Sequence, residues 1–150
     1  MEIKAKIGVD KIYLGMNMTE VRAAWGDPEE ISTFIPLEDK PQDRTVDWKY
    51  SNGIELCFDS EDDFLITSIT CESQQVTING LLVIGLTSKE LRLRFPAIKL
   101  DDEFVLAIDE YRHPSLELSF WVQNDRVNAV TIYPAYDESG KEIIWPERNH

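Results

Sequence analysis

The chain matches itself, and no other feature constrains its fold as much. Residues 15–25 align with 85–95 in a constant register: Gly15 with Gly85, Glu20 with Glu90, Val21 with Leu91, Arg22 with Arg92 and Trp25 with Phe95. Farther on, 54–58 align with 116–120, and 66–69 with 127–130. Three matches in one order read as a duplication of 7–72 and 77–134, joined at 72–75. A tail, 135–150, follows, and 150 residues suit a single domain built from two such halves.

Each half carries the same local signals. Asn17 and Thr87 stand three residues before Glu20 and Glu90, the spacing of a capping box, and predict helices over 18–25 and 88–95. The first puts Met18, Val21 and Trp25 on one face and ends at Gly26-Asp27-Pro28; Pro96 stops the second. Val46, Trp48 and Tyr50 then alternate with Asp47 and Lys49, and Ile54, Leu56 and Phe58 with Glu55 and Cys57. This alternation, with turns at 51–53 and 59–63 and a strand over 64–70, predicts three strands. The second half predicts strands over 104–111, 116–121 and 127–133, with a tip at 123–125. The expected fold class is therefore α+β: two tandem helix–β-hairpin/meander repeats forming one antiparallel sheet with helices on one face. Met18, Val21, Trp25, Trp48, Leu91 and Phe95 are expected in its core.

Glycine, a capped helix start, Trp25-Gly26-Asp27-Pro28, and a hairpin reading Trp48-Lys49-Tyr50 then Gly53-Ile54-Glu55-Leu56-Cys57-Phe58-Asp59 resemble the small repeat of outer-membrane assembly lipoproteins of the SmpA/OmlA type. They also resemble the tandem-repeat β-lactamase inhibitor proteins that share that fold. The resemblance spans nearly the whole chain and implies a binding role without naming a partner. The chain departs from both groups in showing no signal peptide and no lipidated cysteine. Some immunity proteins of bacterial toxin systems are similarly small and acidic.

The formal net charge is −13. Phosphate-rich partners, nucleic acid and anionic membranes alike, would be repelled, so a basic protein is the natural complement. The other reading of the same charge is solubility alone. Residues 1–6 hold no apolar run long enough for a signal peptide or span, so a cytoplasmic location is expected. Cys57 and Cys71, the only cysteines, are expected to be reduced, small, buried thiols. With the hairpin turning at Glu61, Cys57 is expected opposite Leu65 and out of reach of Cys71.

Little in the sequence points to chemistry. His113 lies in a turn before Pro114 and His150 ends the chain; neither is paired with a serine or cysteine nucleophile. Cys57 aligns with Ser119 and reads as a strand position. The acids of 59–63 resemble the start of a calcium loop, but Phe64 stands where glycine is needed and Thr70 where the closing glutamate is needed. No phosphate loop or metal-ligand spacing occurs, so no catalytic residue, cofactor or metal is expected.

Alternation points Leu116, Leu118 and Phe120 inward, so Glu117, Ser119 and Trp121 share the other face with Glu55 and Cys57. The expected partner-binding set is Asp59, Glu61, Asp62 and Asp63 at the hairpin tip, with Glu55, Glu117 and Trp121 on the sheet. The competing reading places Trp121 under the tail segment 143–146. Three functional readings stand: an inhibitor or immunity protein that occludes a basic toxin or enzyme, a scaffold or accessory subunit, and an enzyme with an unrecognised carboxylate site.

Overall fold

The structure, a computed structural model, describes residues 1–103 and 107–148. Helices α1 (Met18–Trp25) and α2 (Ser88–Arg94) start where the capping boxes place them. Asn17 accepts from the Glu20 amide at 2.8 Å, and Thr87 from the Glu90 amide at 3.2 Å. Each glutamate accepts back from the amide of its cap residue, so the first turn's free N–H groups find partners.

Strand dominates the rest. Strands β1 (Glu2–Lys4), β2 (Gly8–Val9), β3 (Ile12–Tyr13), β8 (Thr77–Ile78) and β9 (Leu81–Leu82) form a five-stranded sheet, ordered β3-β2-β1-β8-β9. The larger sheet contains β4 (Glu30–Phe34), β5 (Thr45–Lys49), β6 (Ile54–Asp59) and β7 (Leu65–Cys71). It is completed by β10 (Lys99–Glu103), β11 (Ile108–His113), β12 (Leu118–Gln123) and β13 (Arg126–Ile132), in the order β10-β11-β12-β13-β7-β6-β5-β4. A hairpin of β14 (Ala135–Tyr136) and β15 (Ile143–Ile144) closes the described chain.

The expected α+β class of two tandem helix–hairpin repeats is thereby overturned. Among the described residues the protein is mostly β, 43% strand against 13% helical, with two short α-helices and large sheets of five and eight strands. The expectation gave each half three strands and passed over the outermost strand of each meander, β4 and β10. It assigned no strand to 30–34, whose side chains are all exposed, nor to the two- and three-residue strands of the five-stranded sheet. The strand expected over 104–111 is β11, 108–113; residues 104–106 lie outside the described residues.

Register explains how the large sheet is assembled. Two antiparallel four-strand meanders meet where β7 pairs β13, with Thr70 opposite Thr131. One line of opposed residues crosses all eight strands: Glu30, Lys49, Glu55, Thr70, Thr131, Ser119, Arg112, Lys99. The Gly15 amide donates to the Ile66 carbonyl at 2.9 Å, and the Gly85 amide to the Val127 carbonyl at 2.8 Å. The β6/β7 ladder bulges at Cys57/Phe58, and the β12/β13 ladder at Trp121/Val122. By these hydrogen bonds and bulges 54–58 corresponds to 118–122, two residues on from the alignment read in the sequence.

The inward face of this sheet carries Trp48, Leu56, Ile69, Val130 and Phe120, all at most 1% exposed. Both helices pack on it: the Arg22 guanidinium lies 4.7 Å over the Trp48 ring, and Phe95 lies 5.1 Å from Phe120. Ile3, Val9, Ile12 and Ile78 of the five-stranded sheet join the same core. Burying each such side chain contributes about 1.5–3 kcal/mol, so this layer is the main source of stability. Val21, Trp48, Leu91 and Phe95 are buried as expected, whereas Met18 and Trp25 pack at the core's rim.

Both cysteines are free. Cys57 lies opposite Ser68, not Leu65, because a 3-10 turn over Ser60–Asp62 and left-handed Asp63 and Phe64 lengthen the connection. Cys71 shares the inward row with Ile54 and Val130, so the two thiols lie on opposite faces.

Candidate functional site

The outward face of the eight-stranded sheet is where the side chains between core positions emerge. Among the described residues, the hydrogen bonds and ring contacts of α1, α2 and the β14–β15 hairpin go elsewhere. The tail in particular turns away from Trp121. The Trp145 ring lies 2.9 Å from where a Cβ on Gly15 would stand, Arg148 pairs with Glu20, and it also donates to the Gly15 carbonyl at 2.7 Å. The reading that buried Trp121 under 143–146 is therefore corrected.

The β10–β13 half of this face carries a connected polar cluster. The Ser119 hydroxyl, fully buried, donates to the Glu110 carboxylate, which is 8% exposed. Arg112 donates to Ser119 Oγ at 3.3 Å and to Glu117 Oε2 at 2.8 Å, and its guanidinium stacks 4.5 Å over the Tyr133 ring. Glu117 takes a left-handed backbone, φ 52°, just before β12, and is committed to Arg112. Trp121 is half-buried and donates its indole N–H to Thr131 Oγ1 at 2.9 Å; Thr131 and Thr70 bond hydroxyl to hydroxyl at 2.9 Å. Among the described residues, no buried side-chain nitrogen or oxygen lacks a partner. The face is thus held rigid before any ligand arrives. Thr70, Glu72, Ile108, Trp121, Asn128 and Ala129 line a shallow depression of about 310 Å³ on it.

The β4–β7 half of the face is acidic. Burial pushes the Glu55 carboxyl above the usual glutamate range; Lys49 opposes the shift, and Asp47, Glu72 and Glu30 add to it. Four carboxylates therefore share one region with a single lysine, and an incoming cation relieves their mutual repulsion. Cys57, in the same half, has its thiol pushed up to about 12 by burial and by Asp47. It is a protonated packing group and a poor nucleophile.

The acidic turn stands apart. Asp59 caps the 3-10 turn by accepting from the Glu61 amide at 2.9 Å, so this acid is engaged in the turn itself. Asp62 has its pKa raised by burial and by Asp59 and Asp63. Glu61 and Asp62 line a polar depression of about 460 Å³ with Tyr136, Lys141, Glu142, Ile143 and Trp145. The turn precedes Leu65 at one end of β7, while Trp121 lies beside Thr70 and Glu72 at the other, roughly 20 Å away at strand rise. The seven expected partner-binding residues are thus not one surface: Glu55, Glu117 and Trp121 lie on the sheet face, Glu61 and Asp62 border the tail hairpin, and Asp59 and Asp63 flank the 3-10 turn between them.

Glu110, Arg112, Thr70, Thr131 and Asp47 were missed as site residues. For Glu110 and Arg112 the signal was their alternation with Tyr111 and His113. His113 accepts from the Leu116 amide at 3.2 Å, lies edge-on to Phe95, and has its pKa lowered by burial, all of which fit a neutral structural imidazole. His150 lies outside the described residues. Among the described residues, no group of three His, Cys, Asp or Glu side chains is placed to hold a metal ion.

No family model and no curated protein matches this chain. Two solved structures share its fold. A DUF4309 family protein, YjgB of Bacillus subtilis, aligns over 79% of this chain and 78% of its own at 14% identity, with TM-score 0.52. The uncharacterized protein yfeY of Escherichia coli aligns over 86% of this chain and 94% of its own at 10% identity, with TM-score 0.52. At such identities the likeness shows the fold alone.

Proposed function

We propose that this protein is a binding module that docks a basic protein on the outward face of its eight-stranded sheet, acting as an inhibitor that occludes the partner's working surface. The observation that carries this is the face itself: rigid, satisfied in its hydrogen bonds, acidic on one half and bearing Trp121 on the other. Seven strand spacings by the length of a strand give an area of about 34 by 20 Å, close to the ~800 Å² that each partner contributes to a standard interface. The net charge of −13 supports the same reading.

Charge and aromatic contact make separable contributions to such an interface. Opposite charge speeds encounter and is weakened by salt, whereas a desolvated aromatic sets residence time. With a partner recovered from the native host, Glu55→Gln with Glu72→Gln is expected to lower the association rate at low salt and to converge with the parent at high salt. Trp121→Phe, which keeps an aromatic ring but loses the indole N–H and part of the contact area, is expected to act on dissociation. Rates unaffected by both changes would remove this face from the interface.

A further inference from the structure

The eight-stranded sheet ends in two edges that differ in kind. At β10 the ladder to β11 breaks register between Leu100 and Glu103, and Lys99 and Asp101 put charge on the strand. Bulges and edge charges are the usual guards against a further strand. At β4 the ladder has no such break, and charge is confined to one end of the strand. Its ladder to β5 runs unbroken through five pairs, from Glu30↔Lys49 to Phe34↔Thr45, and Glu30 is its sole charged residue. Ile31 is 55% exposed and Phe34 64%, and the apolar surface continues through Ile35 and Leu37.

We propose that β4 is a receiving edge, and that an extended basic segment of the partner adds to it as a ninth antiparallel strand. This rests on the protein-binding reading but uses a different surface from the sheet face. Ile31 and Thr33 lie in line with the buried Trp48 and Val46, so apolar side chains on the added strand would extend the core layer. Glu30, Ser32 and Phe34 lie on the outward side, where the added strand presents its alternate residues. The occupant's charge follows from the surroundings: residues 27–43 contain six acids, Asp27, Glu29, Glu30, Glu38, Asp39 and Asp43, against Lys40 alone. A second copy of this chain would bring six more acids to the same edge, whereas a segment alternating lysine or arginine with β-branched residues meets both the charge and the apolar row.

The probe is an acetylated heptapeptide alternating lysine with valine and isoleucine, added to the full chain and followed by NMR amide exchange. The expected result is slowed exchange within 30–34 and unchanged exchange in β10. Ile31→Lys, at an exposed position, is expected to weaken binding at least about tenfold, while Leu100→Lys on the opposite edge leaves it unchanged. The same peptide N-methylated at alternate amides, which cannot form the ladder, is expected not to bind. Equal binding of the methylated peptide, protection on β10 or the sheet face instead, absence of binding, or a concentration-dependent dimer abolished by Ile31→Lys would each overturn the proposal. An edge that fails while the partner still docks on the sheet face refutes the ninth strand alone; failure of both refutes the binding reading as well.

Discussion

Thr70 and Thr131 face each other across the middle of the eight-stranded sheet, hydroxyl to hydroxyl at 2.9 Å. They occupy corresponding places: Thr70 opposes Glu55 in one meander and Thr131 opposes Ser119 in the other. The pair fastens the junction of the two meanders on the outward face, and Trp121 is tied to it through Thr131. The seam of the fold and the aromatic centre of the candidate docking face are therefore one hydrogen-bonded unit.

Thr131→Val tests that unit. It removes the acceptor of the indole N–H and strands the Thr70 hydroxyl, so a loss of about 1–3 kcal/mol in urea unfolding is expected. Adding Thr70→Val removes the stranded partner and is expected to recover part of that loss. Additive losses would mean that the two hydroxyls do not interact in solution.

Gly15 and Gly85 hold corresponding turns in the left-handed region, at φ 89° and 96°. Either glycine to alanine meets a backbone penalty of about 1–2 kcal/mol. Only at Gly15 does the new Cβ also meet the Trp145 ring, at 2.9 Å; nothing lies within 4 Å at Gly85. Gly15→Ala is expected to be the more destabilising in thermal melts, and Trp145→Ala in that background to close part of the gap. Equal losses would show that the tail does not pack on Gly15.

Glu55 should separate stability from binding. Its carboxyl pKa is raised in the fold, by burial first and by Asp47, Glu72 and Glu30 next. The native state thus holds the proton more tightly than the unfolded chain, and the stability this contributes below the unfolded value of about 4.5 is lost as pH rises through the folded value. At neutral pH the ionised carboxylate is a burden on the fold. Glu55→Gln is expected to raise stability at pH 7 and to slow association with a basic partner. A variant that is less stable at pH 7 would contradict the direction of the shift.

The two thiols act at the alkaline end. Burial pushes Cys57 and Cys71 up to about 12 from an ordinary 9.0. Between those values the unfolded chain loses thiol protons that the native state keeps, so stability falls as pH rises from about 9 toward 12. Cys57→Ala is expected to flatten that decline and to leave the profile below pH 8 unchanged in shape. A profile with the same alkaline slope would place the Cys57 thiol in contact with water.

Helix starts were legible because a capping box is a local pattern, and Asn17 and Thr87 stand where the spacing put them. The face assignment of Glu117, Ser119 and Trp121 was legible too, and it survived a real error. The sequence match paired Phe58 with Phe120, whereas the ladder bulges pair Phe58 with Val122. A slip of two residues preserves inside and outside, so alternation cannot detect it. The edge strand β4 was not legible because its side chains make no contrast between faces, all five being exposed. Nor was the separation of the acidic turn from Trp121, which depends on the direction in which β7 runs between them.

The most direct test of the central claim is site-specific photocrosslinking in the native host. A benzophenone side chain is placed at Asn128, exposed beside Trp121, at Leu93 on the outer side of α2, and at Asp62 in the acidic turn. Docking on the sheet face predicts one dominant adduct from Asn128, with a basic protein, weakened by Trp121→Phe and by raised salt, and none from Leu93. Adducts from Leu93 or Asp62 alone, or an acidic protein captured at Asn128, would contradict it.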